Sequence, residues 1–154
     1  METMLKDVFM KLIGNSIVAS GRAIKVHQLN FFAENKFEIT PEQYVVLSIL
    51  NDDEDFHQNK LCKLLYKDKS NMTRLLSILE NKKLIEKVQT TENKKQVNHI
   101  KLTQKGRDLR AEISPMVKQS REECFKNISE EDMYTCIKVL TQIQENLSEE
   151  NRNE

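Results

Sequence analysis

The sequence contains no tryptophan and has little glycine, proline and cysteine. Its 154 residues include 3 Gly and 2 Pro, well below the usual ~7% and ~5%. A β-sandwich or barrel uses many turns built from these residues, so their scarcity argues against such folds and favours long helices. Three Cys with no CxxC pair argue against a disulfide framework and indicate a reducing compartment.

Several functional segments are also missing. No apolar run reaches the ~18 residues of a membrane-spanning helix, and the first residues show no basic-then-apolar leader. The sequence has no Gly-rich phosphate loop, no nucleophile elbow and no identifiable Ser/His/Asp or Cys/His set. His27, His57 and His99 lack the spacing of a metal site. We expect a cytoplasmic protein that is not an enzyme, has no cofactor or metal, and has no membrane partner.

The formal net charge is zero, but the charges are unevenly distributed. Residues 58–110 carry 14 Lys/Arg and 5 Asp/Glu, a local charge of +9, and the remainder carries −9. A basic segment of this size is typical of a protein that binds a polyanion. On charge alone, ordinary solvated helix faces remain an equal alternative.

Apolar periodicity predicts a mostly helical, α+β chain. Spacings of three and four residues predict a long first helix over residues 4–35. Thr40-Pro41-Glu42-Gln43 predicts a capping box with proline at the first helical position, which starts a buried second helix.

Two short helices with a tight break between them follow. The first is predicted over residues 58–66, with Leu61, Leu64 and Leu65 facing inward. Asp68 is predicted to cap the next helix, over residues 69–82. That helix has a narrow apolar stripe of Met72, Leu75, Leu76 and Leu79.

The last third of the chain begins with a hairpin. Strands are predicted at residues 86–90 and 98–102, with a polar connector between them and His99 facing solvent. Thr103 is predicted to cap a helix that reaches Asn127 and is kinked by Pro115. Ser129 is predicted to cap a final helix.

Two short helices joined by a tight turn predict a helix-turn-helix, whose second helix can lie in the DNA major groove. Asn71 can pair with adenine, and Arg74 with guanine or a phosphate. Lys94 and Lys95, at the hairpin tip, can reach the backbone or minor groove. The predicted DNA-binding residues are Lys69, Ser70, Asn71, Thr73, Arg74, Ser77, Lys94 and Lys95.

The long terminal helices carry more apolar surface than a single small domain needs. In a monomer this surface would be an exposed patch, so we expect it to pack against a second copy. The alternative is that these helices fold back on their own domain. The predicted dimer-interface residues are Leu5, Val8, Phe9, Leu12, Val117, Met133, Ile137, Leu140, Ile143 and Leu147.

The sequence resembles the MarR family of winged helix-turn-helix regulators. The resemblance is carried by Thr40–Leu47, Asp68–Leu76, Leu79–Ile85 and Lys101–Gly106. It implies a dimerisation helix over residues 1–36, a DNA-binding core over 37–103, dimerisation helices over 104–148 and a polar tail over 149–154.

The resemblance also implies a function. It implies a homodimer that binds a pseudo-palindromic double-stranded DNA operator, usually as a repressor. It further implies release by a small aromatic or phenolic ligand, or by oxidation; the residues that would bind the effector are unknown. We expect an effector pocket between the dimerisation helices and the core.

The sequence departs from the family pattern at two places. The wing of the family usually carries a paired Asp and Arg, where this chain has Asn93-Lys94-Lys95-Gln96; lysine lacks the planar fork of arginine. The residue before Leu84 is usually glycine and here is Lys83, which predicts a different helix end or a non-glycine residue with positive φ.

Two alternatives stay within the same fold. Cys62, Cys124 and Cys136 could sense oxidants, although related sensors place their cysteine in the first helix, which here has none. The chain could also be a protein-docking winged helix. A docking face would carry exposed aromatic or leucine side chains, whereas residues 69–82 present Lys, Ser, Asn, Thr and Arg.

Overall fold

The computed structural model describes residues 2–51, 53–54, 56–92 and 95–147. Within them the chain forms six helices and a two-stranded sheet, which confirms the mostly helical α+β class. Residues 1–118 and 119–154 form two compact units. The elements are α1 Glu2–Glu34, α2 Pro41–Ile49, α3 Gln58–Leu64, α4 Lys69–Asn81, β1 Ile85–Glu92, β2 Lys95–Leu102, α5 Gln104–Cys124 and α6 Glu130–Leu147.

The first helix, α1, is a continuous helix of 33 residues, as predicted apart from its ends. Phe32, near its C-terminal end, is buried in the core of the first unit. The Phe32 ring lies 5.1 Å from the Phe37 ring and 5.8 Å from the Tyr44 ring, centroid to centroid. These aromatic contacts attach the end of α1 to α2.

The predicted capping box of α2 is present. Thr40 Oγ1 accepts a hydrogen bond from the Gln43 N–H at 3.3 Å, and Gln43 Oε1 accepts from the Thr40 N–H at 3.2 Å. Val46, Leu47 and Leu50 are fully buried. The box fixes where α2 begins and therefore which of its faces enters the core.

One prediction for α3 is wrong. Leu61 is fully buried and Leu65 is half-buried, but Leu64 is 49% exposed. Four residues advance a helix by about 40° beyond a full turn, whereas three fall about 60° short. Leu65 therefore keeps the face of Leu61, and Leu64 lies on the flank.

The hairpin is longer than predicted. β1 and β2 pair antiparallel from Ile85 opposite Leu102 to Glu92 opposite Lys95, so most of the expected polar connector forms strand. The buried Ile85, Ile100 and Leu102 fix the register at the base. Backbone pairing then continues outward without needing apolar side chains.

His99 is buried rather than exposed, contrary to the prediction. The strand alternation placed it on the outer side of a two-stranded wing. The structure adds a segment beside β2, where the Ile100 N–H donates to the Phe56 carbonyl at 2.7 Å. This distant segment changes the burial along β2 and cannot be recognised from the alternation alone.

The start of α5 packs closely on the chain between α4 and β1. Thr103 caps α5 as predicted, because its Oγ1 accepts from the Gly106 N–H at 3.0 Å and donates to the Lys83 carbonyl at 2.7 Å. A Cβ at Gly106 would lie 2.0 Å from the Leu84 carbonyl oxygen. Only glycine permits this approach.

Lys83 adopts a positive φ of 58°, which is the second of the two outcomes predicted from the departure from the family pattern. The Lys83 N–H donates to the Glu80 carbonyl at 2.8 Å and the Leu84 N–H to the Leu79 carbonyl at 3.0 Å. This pair of bonds is a Schellman ending for α4.

In the second unit, α5 ends at Cys124 rather than Asn127, which has a φ of 63°. Ser129 caps α6 as predicted: its Oγ accepts from the Asp132 N–H at 3.1 Å and donates to Asp132 Oδ2 at 2.6 Å. No residue of α6 is buried. Pro115 lies inside α5 in the first unit, and the kink there stays a prediction.

Candidate nucleic-acid interface

The candidate interface is centred on α4, which has one buried and one polar face. Its apolar stripe is buried as predicted, and five of the six predicted DNA-binding residues of this helix are exposed. Ser77 is the half-buried member. The buried stripe holds the helix on the core and leaves the polar face open. The stripe is Met72, Leu75, Leu76 and Leu79, and the exposed set is Lys69, Ser70, Asn71, Thr73 and Arg74.

The N-terminus of α4 is capped by Asp68. Its Oδ1 accepts from the Asn71 N–H at 2.8 Å, and the Asn71 side-chain amide donates to its Oδ2. The backbone bond from Asn71, followed by its side-chain bond, lowers the pKa of Asp68 below its usual value of 3.8. One amide hydrogen of Asn71 is therefore already used, which leaves the other and the amide oxygen for a base edge.

Two hydroxyl groups on α4 are engaged inside the protein. Thr73 Oγ1 donates to the Lys69 carbonyl at 2.8 Å and accepts from Gln58 Nε2 at 2.6 Å. Ser77 Oγ donates to the Thr73 carbonyl at 2.9 Å. Hydroxyls in helices commonly donate to the carbonyl four residues earlier. Donation from either hydroxyl to a phosphate would require breaking these bonds.

Gln58 is a residue that sequence reasoning missed. Its Nε2 also donates to the Lys69 carbonyl at 3.1 Å, so it connects the first turn of α3 to the first turn of α4. No local pattern identifies such a residue, since its partners lie 11 and 15 positions away.

Some cations of the basic segment, residues 58–110, form ion pairs within the protein, whereas others are free to bind an anion. Lys60, Lys67 and Lys87 form ion pairs with Glu54, Glu42 and Glu80. Six cations of this segment are exposed and have no ion pair among the described side chains: Lys63, Lys69, Arg74, Lys83, Lys101 and Lys105. Three of them, Lys63, Lys69 and Arg74, lie on α3 and the first half of α4. These three place unpaired positive charge beside the polar face of α4.

Two of the predicted DNA-binding residues belong to the wing. Lys94, predicted at the tip, lies outside the described residues, and Lys95 is described only as the first residue of β2. Their predicted contacts with DNA stay predictions.

The predicted dimer-interface residues fall into two classes. On α1 and on α6 they are exposed or half-buried, including Phe9 at 55% and Ile137 at 63%. Val117 is different because it is buried in the core of its own unit. The exposed or half-buried members are Leu5, Val8, Phe9, Leu12, Met133, Ile137, Leu140, Ile143 and Leu147.

Other candidate sites are weaker. Cys62 is half-buried, whereas Cys124 and Cys136 are exposed. Among residues 2–51, 53–54, 56–92 and 95–147, no cluster of His, Cys, Asp and Glu could hold a metal ion. An open depression along α1 is lined by that helix alone and does not enclose a ligand. In the described part of the chain, no helix is long and apolar enough to cross a membrane.

Comparison with known proteins gives the same architecture. The chain is similar to the transcriptional regulator SlyA, with 24% identity, 91% of this chain and 96% of that chain covered, and a TM-score of 0.74. It is similar to a MarR/EmrR family transcriptional regulator from Acinetobacter sp. ADP1, with 20% identity, coverages of 89% and 95%, and a TM-score of 0.78. It is also similar to MepR of S. aureus, solved as a DNA complex, with 24% identity, coverages of 83% and 91%, and a TM-score of 0.70.

The segment from Ile39 to Val97 matches the sequence model described as the MarR family. It contains α2, α3, α4, β1 and the first residues of β2, and hence the whole candidate interface. Over this segment, and in its winged helix-turn-helix fold, the chain is similar to members of the MarR family.

Proposed function

We propose that this protein is a transcriptional regulator that binds double-stranded DNA sequence-specifically through α4 and represses genes near a pseudo-palindromic operator. The observation that carries the proposal is the polar face of α4, with Lys69 and Arg74 exposed and outside any ion pair. A helix presented in this way fits the ~12 Å major groove. The DNA complex of MepR, which shares the fold, supports this use.

The proposal includes a homodimer. Exposed apolar side chains on α1 and on α6 would be removed from water by a second copy. A two-fold dimer would present two α4 helices to half-sites about one helical turn apart, roughly 34 Å. Double-stranded DNA and a second copy of the chain are therefore the proposed partners.

The proposal also includes release by a small aromatic or phenolic molecule. Its support is the similarity to the MarR family alone, and no lining residue is assigned. A ligand that changes the spacing of the two α4 helices would weaken operator binding without touching DNA.

Fluorescence anisotropy tests the DNA-binding claim. Two labelled duplexes of equal length are titrated at low salt: the DNA upstream of the protein's own coding region and a scrambled version of it. We expect binding to both, because phosphate contacts are sequence-independent, and tighter binding to the upstream duplex. Absence of binding to either duplex contradicts the proposal and favours the protein-docking alternative.

A further inference from the structure

The turn between α3 and α4 exposes apolar surface. Leu64 is 49% exposed and Tyr66 is 77% exposed. Between residues 30 and 115, these are the two large hydrophobic side chains that are exposed among those the structure describes. The other large hydrophobic side chains described in this range are buried or half-buried, so this turn is a local exception.

Tyr66 also has an unusual backbone conformation. Its φ is 49°, a region that bulky residues rarely occupy. The Tyr66 N–H donates to the Lys63 carbonyl at 3.4 Å and the Lys67 N–H to the Cys62 carbonyl at 3.0 Å. This is a Schellman ending of α3, at a position that favours glycine.

The tyrosine ring therefore adds little to the fold. Glycine would satisfy the same two hydrogen bonds with less strain, and a ring that is 77% exposed buries little apolar area. Lys36 and Lys83 occupy the same left-handed region, with φ of 55° and 58°. Their side chains end in solvated ammonium groups, whereas Tyr66 presents an aromatic ring to water.

The surroundings indicate the occupant. Exposed cations without ion pairs lie on both sides of the turn, at Lys63 and Lys69. Tyr66 precedes the cap of α4 by two residues, so it lies at the end of α4 that carries Lys69, Ser70 and Asn71. A polyanion fits this combination better than an apolar protein surface.

We propose that Tyr66 contacts the DNA backbone at the edge of the major groove, its hydroxyl donating a hydrogen bond to a phosphate oxygen. Leu64 packs against the adjoining sugar. The inference rests on the proposed function and extends it with a contact that positions α4 without reading sequence.

Three variants test this inference: Tyr66→Gly, Tyr66→Phe and, as a matched control, Lys36→Gly. Both glycine variants relieve a positive φ and are expected to raise the unfolding midpoint. On both the upstream and the scrambled duplex, Tyr66→Gly is expected to bind about five- to tenfold more weakly and Tyr66→Phe about threefold more weakly. Lys36→Gly is expected to bind within about twofold of wild type.

The outcomes separate the two proposals. If the wild type binds and Tyr66→Gly binds equally well, the inference is wrong while the proposed function stands. Unchanged binding by Tyr66→Phe overturns the hydroxyl contact, and weakening on the upstream duplex alone overturns a sequence-independent one. If the wild type binds neither duplex, both proposals fall.

Discussion

At the scale of single residues, the polar groups on the exposed face of α4 differ in whether they already form hydrogen bonds within the protein. Thr73 and Ser77 already donate their hydroxyl hydrogens to backbone carbonyls, and Asn71 gives one amide hydrogen to Asp68. The Arg74 side chain forms no such hydrogen bond with the described residues. Its planar guanidinium can make two parallel bonds to guanine. Arg74 is therefore the strongest candidate for base readout.

Arg74→Ala is expected to weaken binding to the upstream duplex by about 1–3 kcal/mol and to reduce its preference over the scrambled duplex. Arg121→Ala is the matched control, since Arg121 is an exposed arginine on α5, outside the interface. Anisotropy titrations of both variants measure the difference. Equal affinity of the Arg74→Ala variant and the wild type for both duplexes would remove Arg74 from the interface.

The ionisation of Asp68, which caps α4, makes the stability of the fold depend on pH. Hydrogen bonds from Asn71 hold its pKa below 3.8 in the folded state, so the ionised cap stabilises the fold above the unfolded pKa. That stabilisation is lost as pH falls through the folded pKa. Asp68→Asn retains an accepting oxygen but does not titrate.

Urea unfolding of both proteins, from about pH 6 to about pH 2, tests this linkage. The stability advantage of the wild type over Asp68→Asn should shrink on the acid side. A difference that stays constant with pH would show that the Asp68 charge does not stabilise the helix.

At the scale of elements, capping hydrogen bonds and one close backbone contact fix where helices begin. Thr40, Asp68, Thr103 and Ser129 accept hydrogen bonds from the first turns of α2, α4, α5 and α6. At the junction of α4, β1 and α5, Gly106 lies against the Leu84 carbonyl. This junction sets the position of the wing relative to α4.

Gly106→Ala is expected to destabilise the protein by about 1–3 kcal/mol, because the new Cβ would collide with backbone rather than with a movable side chain. Ser114→Ala, at an exposed position of the same helix, serves as the control and should change stability by less than about 0.5 kcal/mol. Urea midpoints give both values. An alanine at position 106 that leaves stability unchanged would show that the α5 start can shift away from Leu84.

The sequence predicted where the helices and strands lie better than it predicted the burial and tertiary contacts of individual side chains. The four caps and the buried stripe of α4 follow from local spacing and residue type, and the structure confirms them. The positive φ of Lys83 is one of the two outcomes that the departure from the family pattern predicted. The burial of His99 and the role of Gln58 depend on segments distant in sequence. The exposure of Leu64 depends on small angular offsets within a seven-residue helix.

At the scale of the whole molecule, the net charge of zero is the sum of a basic region and an acidic remainder. The +9 of residues 58–110 is partly neutralised by Glu42 and Glu54, which lie outside the segment and pair with Lys67 and Lys60. In the proposed function, exposed cations without an ion pair, among them Lys63, Lys69 and Arg74, direct the molecule towards DNA, while the acidic remainder disfavours contact elsewhere. Neutralised phosphates release counterions, so affinity should fall steeply with salt.

The dimer is tested on α6, where Ile137 is 63% exposed. Ile137→Asp should raise the dimer dissociation constant at least about tenfold, since a buried unpaired charge is costly. Thr135→Asp adds the same charge on the same helix at another exposed position, and is expected to stay dimeric. Analytical ultracentrifugation at micromolar concentration measures both. A monomeric wild type would refute the dimer.

The central claim is that two copies of α4 read DNA symmetrically, and selection from a random duplex pool tests it most directly. The wild-type protein is incubated with the pool, and the retained duplexes are sequenced after several rounds. The account predicts enrichment of a pseudo-palindrome whose half-sites are centred about 10 base pairs apart. Retention without sequence enrichment, or enrichment of a single unrepeated site, would contradict it.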